Sequence, residues 1–315
     1  MRRRTGILVL TLSLVAAACG GEADPEAGPS PGPSPESPEG AFPATVEAAN
    51  GPVTIEERPE RIVSLSPTAT EMLFAIGAGD QVVAVDDQSN HPPQAPVTDL
   101  SGFEPNVEAI AGYEPDLVVV ANDIADLVSS LEGLDIAVAL QPAAEDLDGT
   151  YDQILALGEM TGEVSGAEEV VGDMRREIGE LLEEVPDWVQ APTYYHELDP
   201  TYFTVTSDTF IGQVYSLVGL QSIADEAEGA GSGYPQLSSE YIVDANPDFI
   251  FLADTKCCGE SAETVASRPG WDRIEAVRAG GVVALDDDVA SRWGPRVVDL
   301  LETVVGAVTG EGAGS

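Results

Sequence analysis

Glu108-Ala-Ile-Ala-Gly-Tyr-Glu-Pro-Asp-Leu-Val-Val-Val120 and Glu240-Tyr-Ile-Val-Asp-Ala-Asn-Pro-Asp-Phe-Ile-Phe-Leu252 match position for position at a constant offset of 132 residues. Each copy reads as a short helix opening on its glutamate, a turn at Pro115-Asp116 or Pro247-Asp248, and then a strand. Proline disfavours α backbone in the residue before it, which ends the helix. The apolar run that follows is uninterrupted, as in a strand of a parallel sheet covered on both faces. Chance supplies a Pro-Asp match. It does not supply Glu, Ile, Pro, Asp and an apolar strand in one register.

The flanks extend the repeat. Arg61-Ile-Val-Ser-Leu65 reads as a strand that turns at Ser66-Pro67-Thr68 into a helix through Glu71 and up to Gly77. In the second half the corresponding pieces are a strand-like Tyr202-Phe-Thr-Val205, a Thr/Ser-rich turn, and a helix from Phe210 to Gly219. Both helices close on glycine, as C-termini prefer. A third strand follows in each half, Ile136–Leu140 and Val282–Leu285. The fold class is therefore α/β: two similar lobes on one strand–helix–strand plan.

Between the halves, Val170, Val171, Met174, Ile178, Leu181, Leu182 and Val185 recur at helical spacing, and Pro186 ends the pattern. A helix of this length is roughly 30 Å long. One stiff helix joining two lobes restricts hinge motion more than paired strands do. The ligand cleft is expected between the lobes, where loops at the strand ends converge. The expected boundaries are 53–162 for the first lobe, 163–186 for the connecting helix and 187–315 for the second lobe.

Composition narrows the function. The chain has 315 residues, with 56 acidic against 13 basic and a net charge of −43. Three of the basic residues are Arg2, Arg3 and Arg4, so ten remain beyond the N-terminus. Nucleic-acid binding needs a basic footprint and is excluded, as is electrostatic docking on anionic lipid. With 43% hydrophobic residues in regular patterns, the acidity does not signal disorder. Lys256 is the only lysine, and no Gly-Lys-Ser/Thr occurs, which excludes a P-loop nucleotidase. His-Glu-x-x-His is absent. Gly77-Ala-Gly79 lacks the third glycine of a dinucleotide loop, and Gly229-Ala-Gly-Ser-Gly233 is not a nucleophile elbow. No catalytic residue, cofactor or resident metal is assigned, and the chain is read as a non-enzyme.

The N-terminus carries its own signal. Arg2–Arg4 form a basic start, and Gly6–Ala18 is an apolar run too short to remain as a spanning helix. Val15-Ala-Ala-Ala-Cys19 resembles a bacterial lipobox, with Cys19 as the lipidated first residue of the mature chain. Residues 1–18 are then the signal peptide. Residues 19–52, with Pro25, Pro29, Pro31, Pro33, Pro35 and Pro38 among Gly, Ser and Glu, read as a solvated tether. The expected location is the extracytoplasmic face of the cell membrane, held by the lipid anchor alone.

Arg61-Ile-Val-Ser-Leu-Ser-Pro-Thr-Ala-Thr-Glu71, Asn90-His-Pro-Pro-Gln-Ala95, the two Glu-to-Pro-Asp repeats and Trp293-Gly-Pro-Arg296 together resemble the class III substrate-binding proteins of ABC importers, the cobalamin and iron-siderophore group. The likeness runs from about residue 58 to 308. It implies two α/β lobes, little closure, a metal-chelate ligand such as a corrinoid or ferric chelate, and a monomer that docks on an ABC permease dimer with its ATPase. Pro92-Pro93-Gln94-Ala95 and Tyr234-Pro-Gln-Leu-Ser238 bring it nearest the cobalamin receptors. A ferric-siderophore or haem receptor is the alternative within the family, and an exported enzyme or metal chaperone using the cleft is the alternative outside it.

The same resemblance places pocket aromatics at Phe103, Phe203 and Tyr234, and polar ligand contacts at Asp288, Arg292 and His91. Phe103 and Tyr234 stand where tryptophan is expected, and His91 where tyrosine is. Flat rings suit a macrocycle, offering apolar area at low entropic cost. Glu108 and Glu240 become one docking knob per lobe for arginines of the permease; a carboxylate at a helix start also suits the helix dipole. His91 and His196, the only histidines, can serve as metal ligands or as plain polar contacts. Adjacent Cys257 and Cys258 can form a vicinal disulfide in an exported protein, pair with another chain, or bind metal.

Cys19→Ser is expected to leave unlipidated precursor or shed protein. Mass spectrometry of the membrane fraction checks this: a mature wild-type chain that starts elsewhere, without diacylglycerol, removes the anchor.

Overall fold

The computed structural model describes residues 40–227 and 229–310. Cys19, the signal segment and most of the proline-rich stretch lie outside the described residues. The first lobe runs through β1 (Ala44–Ala48), β2 (Gly51–Ile55), β3 (Ile62–Leu65), α1 (Pro67–Ala75), β4 (Val82–Val85), α2 (Val107–Ala111), β5 (Leu117–Val120), α3 (Leu127–Glu132), β6 (Ala137–Leu140) and α4 (Leu147–Thr161). The connecting helix α5 spans Val164–Glu183. The second lobe contains β7 (Thr193–Glu197), α6 (Phe210–Leu217), β8 (Gln221–Ser222), α7 (Ser239–Ala245), β9 (Phe249–Leu252), α8 (Thr255–Cys258), α9 (Ala262–Ala266), α10 (Glu275–Ala279), β10 (Val282–Ala284), α11 (Asp287–Ser291) and α12 (Val297–Thr309).

Each lobe is built on a four-stranded parallel sheet. The orders are β4-β3-β5-β6 and β10-β9-β7-β8, which is one order read from opposite edges. The repeated Pro-Asp explains how both sheets start. Asp116 Oδ2 accepts from the backbone N–H of Glu60 and Arg61 at 2.9 and 3.0 Å, and the Asp116 N–H donates to Arg61 O. Asp248 Oδ2 accepts from the N–H of Thr193 at 2.8 Å, and the Asp248 N–H donates to Thr193 O. In each lobe the aspartate therefore ties the start of the third strand to the start of the first. The helices ahead of these turns are capped alike: Asn106 and Ser238 accept from the N–H three residues on.

Two expectations are corrected here. The first strand of the second lobe is Thr193–Glu197, not 202–205. Tyr202 has φ +70°, which breaks extension, and Phe203 makes only an isolated bridge with Gln236. Tyr-Tyr-His-Glu hid the true strand because its residues are polar by type, yet all four are buried. The tether, expected to reach residue 52, gives way to β1 at Ala44. β1 and β2 form an antiparallel hairpin that covers the free edge of β6: Ala49 N–H donates to Leu140 O, and the Asn50 side chain pairs with the backbone of Val138 and Leu140.

One apolar core passes through both lobes. It joins Ile62, Leu117 and Val119 of the first sheet to Tyr194 and Phe251 of the second, by way of Val171, Met174 and Ile178 on α5 and Leu301, Val304 and Val305 on α12. Gly166 lets α5 cross the end of α1 in backbone contact; a Cβ there would lie 2.0 Å from Ile76 O. The alternate residues of each sheet, such as Val63 and Val118 or Tyr195 and Ile250, face separate outer clusters.

Candidate functional site

The lobes meet on a buried ion cluster. Glu71, on α1 of the first lobe, is 4% exposed. Its Oε1 accepts from Arg292 Nη1 at 2.6 Å and its Oε2 from Arg296 Nε at 2.9 Å, both arginines coming from the segment between α11 and α12. Arg292 Nη2 donates to Gln88 O, Asn90 Oδ1 and Asp288 Oδ1 at 3.0, 3.0 and 2.9 Å. Asp288 Oδ2 in turn accepts from Asn90 Nδ2 of the first lobe and Lys256 Nζ of the second, at 3.1 and 3.0 Å. Trp293 extends the seam: its carbonyl accepts from Thr150 Oγ1 and its indole N–H donates to Gln153 Oε1.

Around this junction lie the loops that leave the C-terminal ends of the parallel strands, where ligands bind in α/β sheets. Phe103 is 69% exposed and follows Gly102, whose Cβ position would lie 3.1 Å from Leu65 O and 3.2 Å from Asp86 Oδ2, at the ends of β3 and β4. Phe203 and Tyr234 are 38% and 48% exposed. Phe203 O accepts from Leu198 N–H just past β7, and the Tyr234 loop is fastened beside it by Thr204 N–H to Pro235 O and Thr206 N–H to Gly233 O. The structure thus fastens the Phe203 and Tyr234 loops together on the second lobe and sets Phe103 on a strand-end loop of the first.

Other expected residues fall differently. Arg292, expected among ligand contacts, is 8% exposed and wholly engaged between the lobes. His91 is partly buried and lines a cavity of about 410 Å³ beside the ion cluster with Glu71, Phe74, Pro295 and Arg296; none of the three aromatics lines it. Asp288 is partly exposed and bridges both lobes, its carboxyl held below the usual range, against the effect of burial, by the Lys256 ammonium and the Arg292 guanidinium. Glu108 and Glu240 are exposed, each the second residue of its helix. His196 is fully buried, and burial lowers its pKa to about 3, so it is neutral, with Nδ1 against the Tyr215 hydroxyl. Cys257 and Cys258 are exposed and joined through their sulfurs on α8, a turn held by Asp287, which accepts from the N–H groups of Thr255, Lys256 and Cys257.

Glu71, Arg296, Asn90 and Lys256 escaped assignment from sequence. Three of them lie inside the motifs quoted above, but a bond between residues 71 and 292 has no local signature. Among the described residues no cluster of three His, Cys, Asp or Glu side chains is arranged to hold a metal, and no helix is long and apolar enough to cross a membrane.

Comparison with known proteins matches residues 62–289 to the periplasmic binding protein family model. An ABC transporter substrate-binding lipoprotein of Bacillus subtilis, YvrC, is 29% identical over 320 residues, covering 98% of each chain. A cobalamin-binding protein of Halobacterium salinarum is 31% identical, covering 85% of this chain and 74% of its own. The crystal structure of the periplasmic vitamin B12 binding protein of Vibrio cholerae superposes with a TM-score of 0.67 at 27% identity, over 79% of this chain and 96% of that one.

Removing one partner of a buried pair leaves the other charge uncompensated. Glu71→Ala is therefore expected to cost about 3–5 kcal/mol, read as a shift of the urea midpoint. Exposed Glu108→Ala should stay within about 0.5 kcal/mol. A Glu71→Ala midpoint inside that smaller margin would mean that the apolar core alone joins the lobes.

Proposed function

The chain belongs to the periplasmic binding protein family, and we propose that it is the lipid-anchored receptor of an ABC importer that captures a corrinoid and delivers it to the permease. Members of the family bind solutes and are not enzymes, so what occupies the cleft is cargo, not a cofactor. The nearness to the B. subtilis lipoprotein and to cobalamin-binding proteins supports this reading, together with the lipobox-like Cys19.

The observation that carries the ligand class is the state of the cations. Those on the strand-end side are Lys256, held by Asp286 and Asp288; Arg268, held by Glu197 and Glu260; and Arg292 and Arg296, held by Glu71. Each of these four is already paired with at least one carboxylate of the chain, so an incoming anion would have to compete with it. Haem brings two propionates, and catecholate or carboxylate siderophores bring several negative charges. Either would meet cations already paired, on a chain of net charge −43, and suffer desolvation with little compensation. A corrinoid is edged by carboxamides, and its phosphate charge is balanced within the molecule. Carboxamides can donate hydrogen bonds to carboxylates and carbonyls without needing a cation, while the exposed rings of Phe103, Phe203 and Tyr234 suit a flat ring system.

Isothermal titration of the protein from Gly40 onward against cyanocobalamin, haemin and a ferric catecholate tests the reading. Tight binding of cyanocobalamin alone is expected, and a preference for either anion would overturn it. In the same titration, Phe103→Ala with Tyr234→Ala should weaken binding by at least tenfold, since each truncation removes on the order of 1.5–3 kcal/mol of apolar contact when fully buried. Unchanged affinity with intact circular dichroism would remove both rings from the pocket.

We place permease docking on Glu108 and Glu240, which the repeat puts at matching positions with one on each lobe. A carboxylate paired with arginine and desolvated only in the complex contributes roughly 2–5 kcal/mol when its partner would otherwise be left alone. The double variant Glu108→Ala/Glu240→Ala should abolish cellular uptake while ligand affinity stays at the wild-type value. Normal uptake would refute the docking role, and lost affinity would move the pair into the pocket.

A further inference from the structure

At the cleft-side end of the second sheet, three carboxylates gather around one guanidinium. Glu197, the last residue of β7, is fully buried, and its two oxygens accept from Arg268 Nη1 and Nη2 at 2.6 and 2.5 Å. Arg268 Nη2 also donates to Glu260 at 2.8 Å, and the guanidinium lies over the Trp271 ring, 4.6 Å from its centroid. Asp254, two residues past β9, is fully buried as well. Neither of its carboxylate oxygens receives a hydrogen bond from the described residues. The hydroxyl of Tyr195, also on β7, is buried and likewise unpartnered among the described residues, beside the same group.

The charges do not balance. Arg268 neutralises one carboxylate. Glu260 keeps some contact with solvent, its side chain 15% exposed. Lys256, in the same segment, is turned to Asp286 and Asp288, and Asp287 is occupied by the backbone N–H groups of α8. An ionised Asp254 would be a buried charge without a partner, which is too costly to persist. A proton removes that charge and supplies the missing hydrogen bond.

We infer that Asp254 and Glu197 form a proton-binding site, in which Asp254 carries the proton and donates it to the Glu197 carboxylate. Burial, then the negative charges of Glu197 and Glu260, push the pKa of Asp254 up to about 7, against the opposing pull of Arg268. The site closes the segment 254–260 onto the end of β7. Backbone bonds reinforce that closure, with Ala253 N–H donating to Glu197 O and Asp254 O accepting from Cys258 N–H. When the proton leaves, two like charges face each other, and the turn that holds Lys256 on Asp288 loosens. Because Asp288 is bonded to Asn90, the effect reaches the seam between the lobes.

The sign follows from linkage. A carboxyl whose pKa is higher folded than unfolded stabilises the fold fully below about pH 4 and loses that contribution as pH rises through about 7. On the full mature chain, the unfolding equilibrium constant of wild type relative to Asp254→Asn is expected to change about a hundredfold between pH 5 and pH 8. Infrared difference spectra should show a protonated-carboxyl carbonyl band in wild type at pH 6 that vanishes at pH 9 and is absent from D254N. Amide exchange of Thr255–Glu260, corrected for the intrinsic rate, should rise over the same range. Should D254N fail to fold, the band and the exchange profile of wild type decide alone. A wild type without the band at pH 6, or a band that persists in folded D254N, overturns the inference. So does a stability that ignores pH and instead rises with sodium chloride over choline chloride at equal ionic strength, which would assign the free oxygens to a metal ion.

Discussion

A single buried glutamate connects the halves of this protein. Glu71 lies between two guanidiniums from the far end of the chain, and taking three charges out of water is expensive unless each finds its partner. The geometry goes far to meet that condition: Arg292 donates to Glu71, Gln88, Asn90 and Asp288, and Asp288 in turn accepts from Asn90 and Lys256. Breaking any member would leave another buried charge without its partner. The chain crosses between the lobes along α5 and reaches back over the first lobe through Trp293, and the apolar core is continuous beneath both crossings.

The two lobes solve the same problem with different chemistry. Both sheets begin with an aspartate tying two strands together, and both helices ahead of that turn are capped by a side chain. Beyond this they diverge. The first sheet is apolar throughout most of its centre, and its β6 edge is sealed by the N-terminal hairpin. The second carries Tyr194, Tyr195, His196 and Glu197 through its centre, so it needs Tyr215, Arg268 and a proton to satisfy buried groups. The polar lobe is consequently the one sensitive to its surroundings.

Acidity gives these few cations their weight. With a net charge of −43, the surface repels itself and any anionic neighbour. Lys256, Arg268, Arg292 and Arg296 are each paired with carboxylates of the chain itself, which sets most of their charge against the protein's own acidity.

The amino-acid sequence by itself determined the α/β class, the duplicated plan, the connecting helix and the strand-end loops. Each of these rests on local periodicity or on a repeat visible in the chain, as with Pro115-Asp116 and Pro247-Asp248. The resemblance pointed to Phe103, Phe203 and Tyr234 as pocket aromatics, and in the structure all three are exposed on loops. Local pattern failed where burial contradicted residue type. Thr193–Glu197 looks like a surface stretch and is a central strand, because its partners lie at Tyr215 and Arg268. The Ala44–Ile55 hairpin was hidden behind the prolines before it. Only the tertiary structure decided that Arg292 joins lobes, that His91 lines a cavity with Glu71 and Arg296, and that Asp254 is left without a donor among the described residues. Each of those facts depends on residues brought together from distant parts of the chain, and no spacing along one segment encodes them.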